Sequence, residues 1–241
     1  MIGKGKSISH GVAALEYDLA KEINGQAVAT EIARHELYGC TGAEMVQEMK
    51  PYHIDFPNVK NNCLRFEVSP SIEESATFTD ADWAELGNDF MQRMGLANHQ
   101  YIIIRHSGTE SKKEQAHLHI LANRVSLSGE LYRDNWIGKK ATEAANAIAK
   151  ERNFVQSQDI GKVNKAEIKE AMDGVLKKMQ GFDFTKFKEE LGKRGFKVRE
   201  ARASTGKLNG YYVTARSGTE YKASEIGKGY TLAHIERTQS K

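Results

Sequence analysis

Three histidines in the middle of the chain are the residues best suited to chemistry. His106 is followed by His117-Leu118-His119, and Asn123 comes next. Imidazole nitrogens bind borderline divalent metal ions, and three protein ligands leave coordination positions open for water or substrate. Three of the eight histidines fall between residues 106 and 119. We therefore predict a divalent metal site at His106, His117 and His119. Our candidate ions are Mg²⁺ and Mn²⁺, with Zn²⁺ as the alternative.

The histidines are predicted to lie on two neighbouring strands. Residues 101–106 and 116–127 are rich in apolar side chains, and a polar segment, residues 107–115, separates them. If this segment is a hairpin loop, the strands are antiparallel neighbours, and opposed residues lie about 5 Å apart. Side chains alternate between the two faces of a strand, so His117 and His119 share a face. The three imidazoles are then expected to meet at one end of a sheet.

The rest of the chain alternates between helical and strand patterns. Apolar spacing and capping residues predict helices over residues 9–22, 41–49, 79–94, 137–152, 165–179 and 184–194. Further strands are predicted over residues 27–37, 62–69, 196–203 and 209–216. This order indicates an α+β fold with a mostly antiparallel central sheet and flanking helices, followed by a small C-terminal helical and β-hairpin subdomain. A polar stretch at residues 155–164 marks the boundary, so we expect a core of residues 1–155 and a basic subdomain of residues 156–241.

The composition is that of an ordinary globular protein. Of the 241 residues, 39% are apolar and 28% are charged, and a chain of this size buries roughly 70% of its unfolded surface. No apolar run approaches the roughly 20 residues that span a bilayer, and the N-terminus has no signal-peptide core. Two cysteines are too few for a disulfide framework. We expect a cytoplasmic protein.

Charge is distributed unevenly along the chain. The formal net charge is +3, but residues 151–241 contain 19 Lys and Arg against 12 Asp and Glu, whereas residues 1–150 contain 16 against 20. A basic C-terminal part favours a polyanionic partner such as nucleic acid. The same excess of charge is also typical of a solvated helical surface, so charge alone leaves both interpretations open.

The segment with the histidines resembles a known enzyme family. His117-Leu118-His119 is similar to the His–x–His signature of HUH endonucleases, and together with His106 and Asn123 it resembles the third motif of MOBP-type mobilisation relaxases. The resemblance covers most of residues 1–150 and continues more loosely to residues 222–230. It implies an enzyme that nicks single-stranded or locally melted DNA at the transfer origin of a mobilisable plasmid or transposon. It also implies accessory relaxosome proteins and a coupling protein as partners.

Members of this family attack a DNA phosphate with a tyrosine, which relaxases carry before the histidine motif. Tyr17 has the matching position. It lies off the apolar stripe of the first predicted helix, which consists of Val12, Leu15, Leu19 and Ile23. We therefore expect the hydroxyl of Tyr17 to point at the sheet edge or at solvent.

Other tyrosines are alternatives to Tyr17. Tyr132 follows the histidine motif, which is the position that replication initiators use, but the lysine expected after it is absent. Tyr38 and Tyr52 are further N-terminal candidates. The phenol of a free tyrosine has a pKa near 10 and is a poor nucleophile at neutral pH, so a cation that polarises the phosphate has to assist it. Attack by Tyr17 leaves a 5′-phosphotyrosine and a free 3′-hydroxyl, and the reverse step reseals the strand.

Residues outside the histidine cluster have predicted supporting roles. Glu67 is the first candidate for accepting the phenol proton, with Glu114 as a second, and a surface ion pair is the ordinary alternative for Glu67. Asn123 and Arg124 are candidates for holding phosphate or sugar. The basic residues predicted to contact the DNA backbone in the C-terminal part are Lys193, Arg194, Lys197, Arg199, Arg202 and Lys207.

Four functions are consistent with the sequence. The first is a metal-dependent relaxase that uses Tyr17, and the second is a rolling-circle replication initiator that uses Tyr132. The third is a non-catalytic DNA-binding accessory protein with a structural metal, and the fourth is a zinc hydrolase unrelated to DNA. A covalent protein–DNA adduct and its loss in a tyrosine variant separate these functions.

Overall fold

The computed structural model describes residues 1–108 and 115–239. The chain divides into two compact units, Met1–Ser157 and Gln158–Lys241, and the predicted boundary after residue 155 lies next to this division. No helix within the described ranges combines the length and the apolar character that a membrane span requires.

The first unit is built on a five-stranded sheet. The strands of the whole unit are β1 (Ile2–Ile8), β2 (Glu22–Ile23), β3 (Gln26–Ala27), β4 (Ala29–His35), β5 (Cys63–Ser69), β6 (His99–His106) and β7 (His117–Ser126). Its helices are α1 (Gly11–Leu19), α2 (Gly42–Met49), α3 (Ile72–Ser75), α4 (Asp80–Arg93) and α5 (Ile137–Glu151). The sheet has the order β1-β5-β7-β6-β4 with antiparallel neighbours, and β2 pairs with β3 separately. The predicted α+β class with an antiparallel central sheet is confirmed.

Helices cover both faces of this sheet. Leu64, Phe66 and Val68 alternate along β5 and belong to one core cluster with residues of α4 and α5. A second cluster on the opposite face contains Ile104 of β6 and Leu121 of β7, together with residues of α1 and α2. His106, His117 and His119 have the same strand parity as this second set, so they face the layer formed by α1 and α2.

Strand β1 was not predicted from the sequence. Its glycines face α5, where a Cβ atom on Gly3 would lie 2.4 Å from the carbonyl oxygen of Ala141 and 2.6 Å from the Cβ of Ala145. Only glycine allows the strand and the helix to approach so closely. The alternating residues Lys4 and Lys6 are exposed on the opposite face, so β1 brings two ammonium groups to the face that carries the histidines.

Helix α1 is shorter than predicted, and a different face of it is buried. The buried residues are Gly11, Ala14, Leu15 and Asp18, whereas Val12 of the predicted stripe is 39% exposed and Ile23 lies in β2. Gly11 sits so close to Cys63 that a Cβ atom there would be 2.6 Å from its Sγ. The missing side chain at position 11 thus turns the helix so that Asp18 points inward.

The second unit packs helices against a three-stranded sheet. Its elements are α6 (Ser157–Leu176), α7 (Phe184–Lys193), β8 (Lys197–Arg202), β9 (Leu208–Thr214), β10 (Glu220–Lys222), α8 (Ala223–Ile226) and α9 (Leu232–Gln239). The strand order is β10-β9-β8. The polar stretch at residues 155–164, interpreted above as a boundary, is mostly the first part of α6. Asn164, at the end of this stretch, is buried in this unit, where its amide nitrogen donates to Ser217 Oγ at 2.9 Å and Tyr221 Oη at 3.0 Å.

Candidate active site

The three histidines meet at one end of the β6–β7 pair. His106 is directly opposite His117 in the antiparallel register, and His119 is opposite Ile104. One ring nitrogen from each histidine lies within 4.8 Å of the others, and the ring centroids are 4.5 to 5.4 Å apart. His106 and His117 are buried. The structure therefore brings together all three predicted ligands.

Hydrogen bonds to backbone carbonyls orient two of the rings. The Nε2–H of His106 donates to the carbonyl oxygen of Asp18 at 2.7 Å, which leaves its Nδ1 as the nitrogen with a free lone pair. The Nδ1–H of His117 donates to the carbonyl oxygen of Gln115 at 3.1 Å, which leaves Nε2. A carbonyl can only accept, so these bonds fix the ring tautomers. Outer hydrogen bonds of this kind are what orient histidine ligands in metal sites.

Burial keeps the imidazoles of His106 and His119 neutral, as metal ligands have to be. The pKa of His119 is lowered to about 2, mainly because burial disfavours the imidazolium and further because His106, His117, Arg65 and Lys4 place positive charge nearby. Burial also lowers the pKa of His106. At neutral pH both rings therefore present a lone pair rather than a second proton.

The nitrogen spacing fits one divalent ion. The Nε2 atoms of His117 and His119 are 3.1 Å apart. Two nitrogen ligands, each about 2.1 Å from a metal and at right or tetrahedral angles to each other, are separated by about 3.0 to 3.4 Å. Three imidazoles whose ring nitrogens lie within 4.8 Å of one another are consistent with the divalent metal site that the sequence predicted.

A buried ion pair ties α1 to the site. The guanidinium of Arg65 on β5 donates from Nε to Oδ2 of Asp18 at 3.0 Å and from a second nitrogen to Oδ1. Asp18 is 1% exposed, and burial raises the pKa of its carboxyl, an effect that Arg65 opposes. A nitrogen of the same guanidinium lies 3.4 Å from Nδ1 of His119. No local sequence pattern distinguishes Asp18 from a surface acid, so it was not predicted as a site residue.

Tyr17 lies between two anchored residues of α1. Its predecessor Glu16 accepts from the backbone N–H of Ala43 at the start of α2, at 3.0 Å, and its successor Asp18 contacts both Arg65 and His106. Tyr17 itself is 57% exposed, and its hydroxyl oxygen accepts from the ammonium of Lys21 at 2.6 Å. The phenol is thus accessible, as predicted, and held on a fixed helix that contacts the histidines.

A cationic cavity of about 200 Å³ opens beside His119. It is lined by Lys4, Gly5, Lys6, Arg65, Phe66, Glu67 and His119. Glu67 is opposite His119 in the β5–β7 register, and its carboxylate accepts from Lys4 at 2.9 Å. The predicted acid therefore lies next to the histidines in an ion pair, while Glu114 lies outside the described residues. The two lysines were missed because β1 was missed.

The prediction that Asn123 contacts DNA has to be corrected. The side chain is 0% exposed, and its Oδ1 lies 2.6 Å from Nε2 of His53 and accepts from the backbone N–H of Val125 at 3.0 Å. Its amide nitrogen donates to Oε1 of Gln100 and to the carbonyl oxygen of Met49. With every hydrogen-bonding position filled by protein, Asn123 fixes β7 to its neighbours and offers nothing to a DNA strand.

Arg124 is also occupied by protein. It lies on the other face of β7 from the histidines, and its guanidinium donates to the carbonyl oxygens of Asn61 and Tyr132 and to the carboxylate of Asp134. These hydrogen bonds link the segment after β7 to the sheet. The prediction that Arg124 contacts DNA is therefore corrected as well.

The alternative tyrosines lie away from the histidines. Tyr132 packs against the α4 and α5 side of the sheet, and its backbone N–H donates to Arg124, about 16 Å along β7 from His119. Tyr38 follows β4, whose residue His35 pairs with Tyr101 at the far end of β6. Tyr52 lies in a 3₁₀ turn, Lys50–His53, which reaches Asn123.

The predicted basic residues of the second unit lie on α7, β8 and the turn after β8. Several have acidic partners: Lys193 with Glu190, Arg199 with Glu220 and Arg202 with Glu200. Lys197 and Lys207 are exposed, and Arg194 is half-buried where α7 ends. Lys197 and Arg199 share the face of β8 opposite the core residue Val198.

Residues 17–154 match the family model described as the nuclease domain of MobA/VirD2-like relaxases. The chain belongs to this family. The matched segment contains Tyr17 and the three histidines, and it ends before the second unit. As a relaxase nuclease domain, the protein is a DNA-nicking and strand-transfer enzyme of the HUH type, which confirms the resemblance stated above.

One solved structure is similar to this relaxase over much of its length. It is the conjugative relaxase TrwC in complex with oriT DNA, in a metal-bound form, with 11% sequence identity and a TM-score of 0.36. The similarity covers 86% of this chain and 74% of that chain. No curated protein is similar enough to match the chain.

Proposed function

We propose that this relaxase nicks one strand of DNA at a transfer origin by transesterification with Tyr17. One observation carries the proposal. Helix α1 presents the phenol of Tyr17 to solvent while the adjacent residue, Asp18, accepts a hydrogen bond from His106. A nucleophile on a helix that contacts the histidines is the arrangement that attack on a metal-bound phosphate requires.

In the proposed reaction, the phenol oxygen of Tyr17 attacks the scissile phosphorus. The bond from phosphorus to the 3′ oxygen breaks, which leaves a 5′-phosphotyrosine and a 3′ oxygen that takes up a proton. The ammonium of Lys21, which donates to the phenol oxygen, stabilises the phenolate during attack. A divalent ion at His106, His117 and His119, when bound, polarises the phosphate and offsets its developing charge. Resealing is the reverse transfer, and it needs no ATP.

The cationic cavity beside His119 is the proposed binding site of the scissile phosphate. Lys4, Lys6 and Arg65 line it from two adjacent strands, and ammonium and guanidinium groups are strong partners for phosphate oxygens. We retain Glu67 as the candidate proton acceptor, because it lines the same cavity. Its ion pair with Lys4 holds the carboxylate at the wall of this cavity.

The proposed substrate is single-stranded or locally melted DNA, because a phosphate within a stacked duplex is hard to bring to a recessed site. Mg²⁺ and Mn²⁺ are the proposed metals, with Zn²⁺ as the alternative. The family also leads us to expect accessory relaxosome proteins and a coupling protein, and these partners stay predictions.

The test uses a labelled single-stranded oligonucleotide from the transfer origin of the element that encodes the chain. With Mg²⁺ or Mn²⁺, the unsubstituted protein is expected to form an adduct that survives denaturant and carries the 5′ end of the cut strand. Tyr17→Phe removes only the nucleophilic oxygen, so it should abolish the adduct and leave oligonucleotide binding intact.

Two control variants remove the hydroxyl group of a tyrosine other than Tyr17. Tyr38→Phe and Tyr132→Phe should both retain the adduct. An adduct that persists in Tyr17→Phe and disappears in Tyr132→Phe would move the nucleophile to Tyr132 and establish the initiator mechanism. If the unsubstituted protein bound the oligonucleotide but formed no adduct with either metal, the result would favour a non-catalytic, DNA-binding accessory protein.

A further inference from the structure

The second unit has a sheet face that its core does not use. Val198, Tyr211 and Val213 point into the hydrophobic core of this unit. Because strand side chains alternate, the neighbouring positions point the other way. The antiparallel register places Arg199, Tyr212 and Lys222 side by side in one row across the three strands. We call this row the Tyr212 platform.

The Tyr212 platform combines an aromatic ring with two cations. The guanidinium carbon of Arg199 lies 4.0 Å from the centroid of the Tyr212 ring, and the ammonium of Lys222 lies 5.9 Å from it. The Arg199 side chain is 57% exposed and also bonds Glu220, while Lys222 is exposed. Lys197 is exposed in the next row of the same face. An aromatic ring framed by cations is suited to a ligand that has both a π-face and negative charge.

Space for a flat ligand adjoins the ring. A cavity of about 280 Å³ is lined by Ala201, Gly210, Tyr212, Lys222 and Ser224, among others. Ala201 and Gly210 are paired with each other in the register, and a Cβ atom on Gly210 would meet nothing within 4 Å. Two small residues next to an aromatic one thus leave a recess of the size that a nucleobase needs.

We propose that the Tyr212 platform binds an unpaired base of single-stranded DNA. The base takes the place of the Arg199 guanidinium, which lies over the Tyr212 ring in the unbound chain. Arg199 then turns to an adjoining phosphate, as do Lys222 and Lys197. This inference rests on the proposed function, which supplies DNA as the substrate, and it adds a second contact outside the segment that matches the family. A duplex is the less suitable occupant, because its bases are stacked on one another and present only their edges and phosphates to a protein surface. The excess of 19 basic over 12 acidic residues in residues 151–241 matches the charge of a nucleic acid.

The test measures binding of the whole chain to fluorescent oligothymidine and to a duplex in EDTA, where no cleavage occurs. Removing base stacking costs about 1–3 kcal/mol, so Tyr212→Leu should weaken oligothymidine binding roughly 5- to 150-fold. Tyr212→Phe should retain the affinity, because the ring remains. Tyr38→Leu is the matched control, since it removes an exposed tyrosine from the first unit.

A second readout guards against misfolding of the leucine variant. Tyr212→Trp places a fluorophore on the platform, and oligothymidine should quench it, while the duplex should not. The proposal would be overturned if Tyr212→Leu and the unsubstituted chain bound oligothymidine equally well. It would also be overturned if Tyr212→Leu weakened duplex binding by the same factor as oligothymidine binding. Failure of the Tyr17 adduct would refute the proposed function and leave this measurement intact, because binding in EDTA needs neither metal nor cleavage.

Discussion

Asp18 shows how much of the site depends on a single residue. Its backbone carbonyl orients His106, and its carboxylate holds Arg65, which in turn lies near His119. The histidines were predicted from their spacing, and Tyr17 from its position in the family that this spacing resembles. The pair between residues 18 and 65 was not predicted, because only the folded chain brings these two residues together.

Acid should destabilise the first unit through its buried histidines. Burial lowers the pKa of His99, His106 and His119, whereas histidines of the unfolded chain titrate near 6.5. Between those values the unfolded chain binds more protons, so the free energy of unfolding falls as pH drops below about 6.5. Between its folded and unfolded pKa values, each such histidine contributes at most about 1.4 kcal/mol per pH unit.

Urea unfolding at pH 7 and pH 5, in EDTA and followed by tryptophan fluorescence, measures this dependence. His99→Gln should flatten it without touching the predicted metal ligands. Asp18 acts in the opposite direction, because burial raises its pKa in the folded chain. The carboxylates with lowered pKa values titrate below pH 4.5, outside this window. A free energy of unfolding that is equal at both pH values would contradict the burial argument.

Removing Arg65 should cost more than removing the whole ion pair. Arg65→Gln leaves the carboxylate of Asp18 buried without a cation, which typically costs about 3–5 kcal/mol. Adding Asp18→Asn removes the buried charge, so the double variant should regain most of the loss. Urea unfolding of the single and double variants gives their free energies of unfolding. If both variants lost the same free energy, the buried carboxylate of Asp18 would not depend on Arg65.

At the scale of elements, β1 shows where sequence patterns are insufficient. Its alternation of glycine with lysine lacks the β-branched and aromatic residues typical of strands, and its stability comes from the close packing of Gly3 and Gly5 against α5. The central strands and the larger helices were predicted, because apolar periodicity and the capping box at Thr41 mark them directly. The burial of α1 was misjudged, because Gly11 and Asp18 define its inner face.

Gly3→Ala should separate β1 from α5. The added methyl group overlaps the carbonyl oxygen of Ala141 and the Cβ of Ala145, and such overpacking costs about 1–3 kcal/mol. Because β1 carries Lys4 and Lys6, adduct formation should also slow. Gly138→Ala is the matched control on α5, where the new Cβ meets its nearest atom at 3.4 Å and the better helix propensity favours alanine. If both variants were equally stable, β1 would accommodate the added methyl group without loss of stability.

At the scale of the whole molecule, the two units differ in core, charge and chemistry. The first unit has hydrophobic clusters on both faces of its sheet, and it contains the three histidines. The second has a cluster of its own, and it carries most of the basic excess. If each core supports its own unit, ligands of one unit should change only that unit's stability.

Metal binding tests this separation, because it should stabilise the first unit alone. A ligand that binds only the folded state, at 100 times its dissociation constant, adds about 2.7 kcal/mol to the free energy of unfolding. The two tryptophans, Trp83 and Trp136, are both in the first unit, so their fluorescence reports its transition. In a thermal scan, Mn²⁺ should raise the temperature of that transition. The temperature of the calorimetric transition of the second unit should not change. His117→Ala should abolish the shift, and a shift that survives in this variant would place the ion elsewhere.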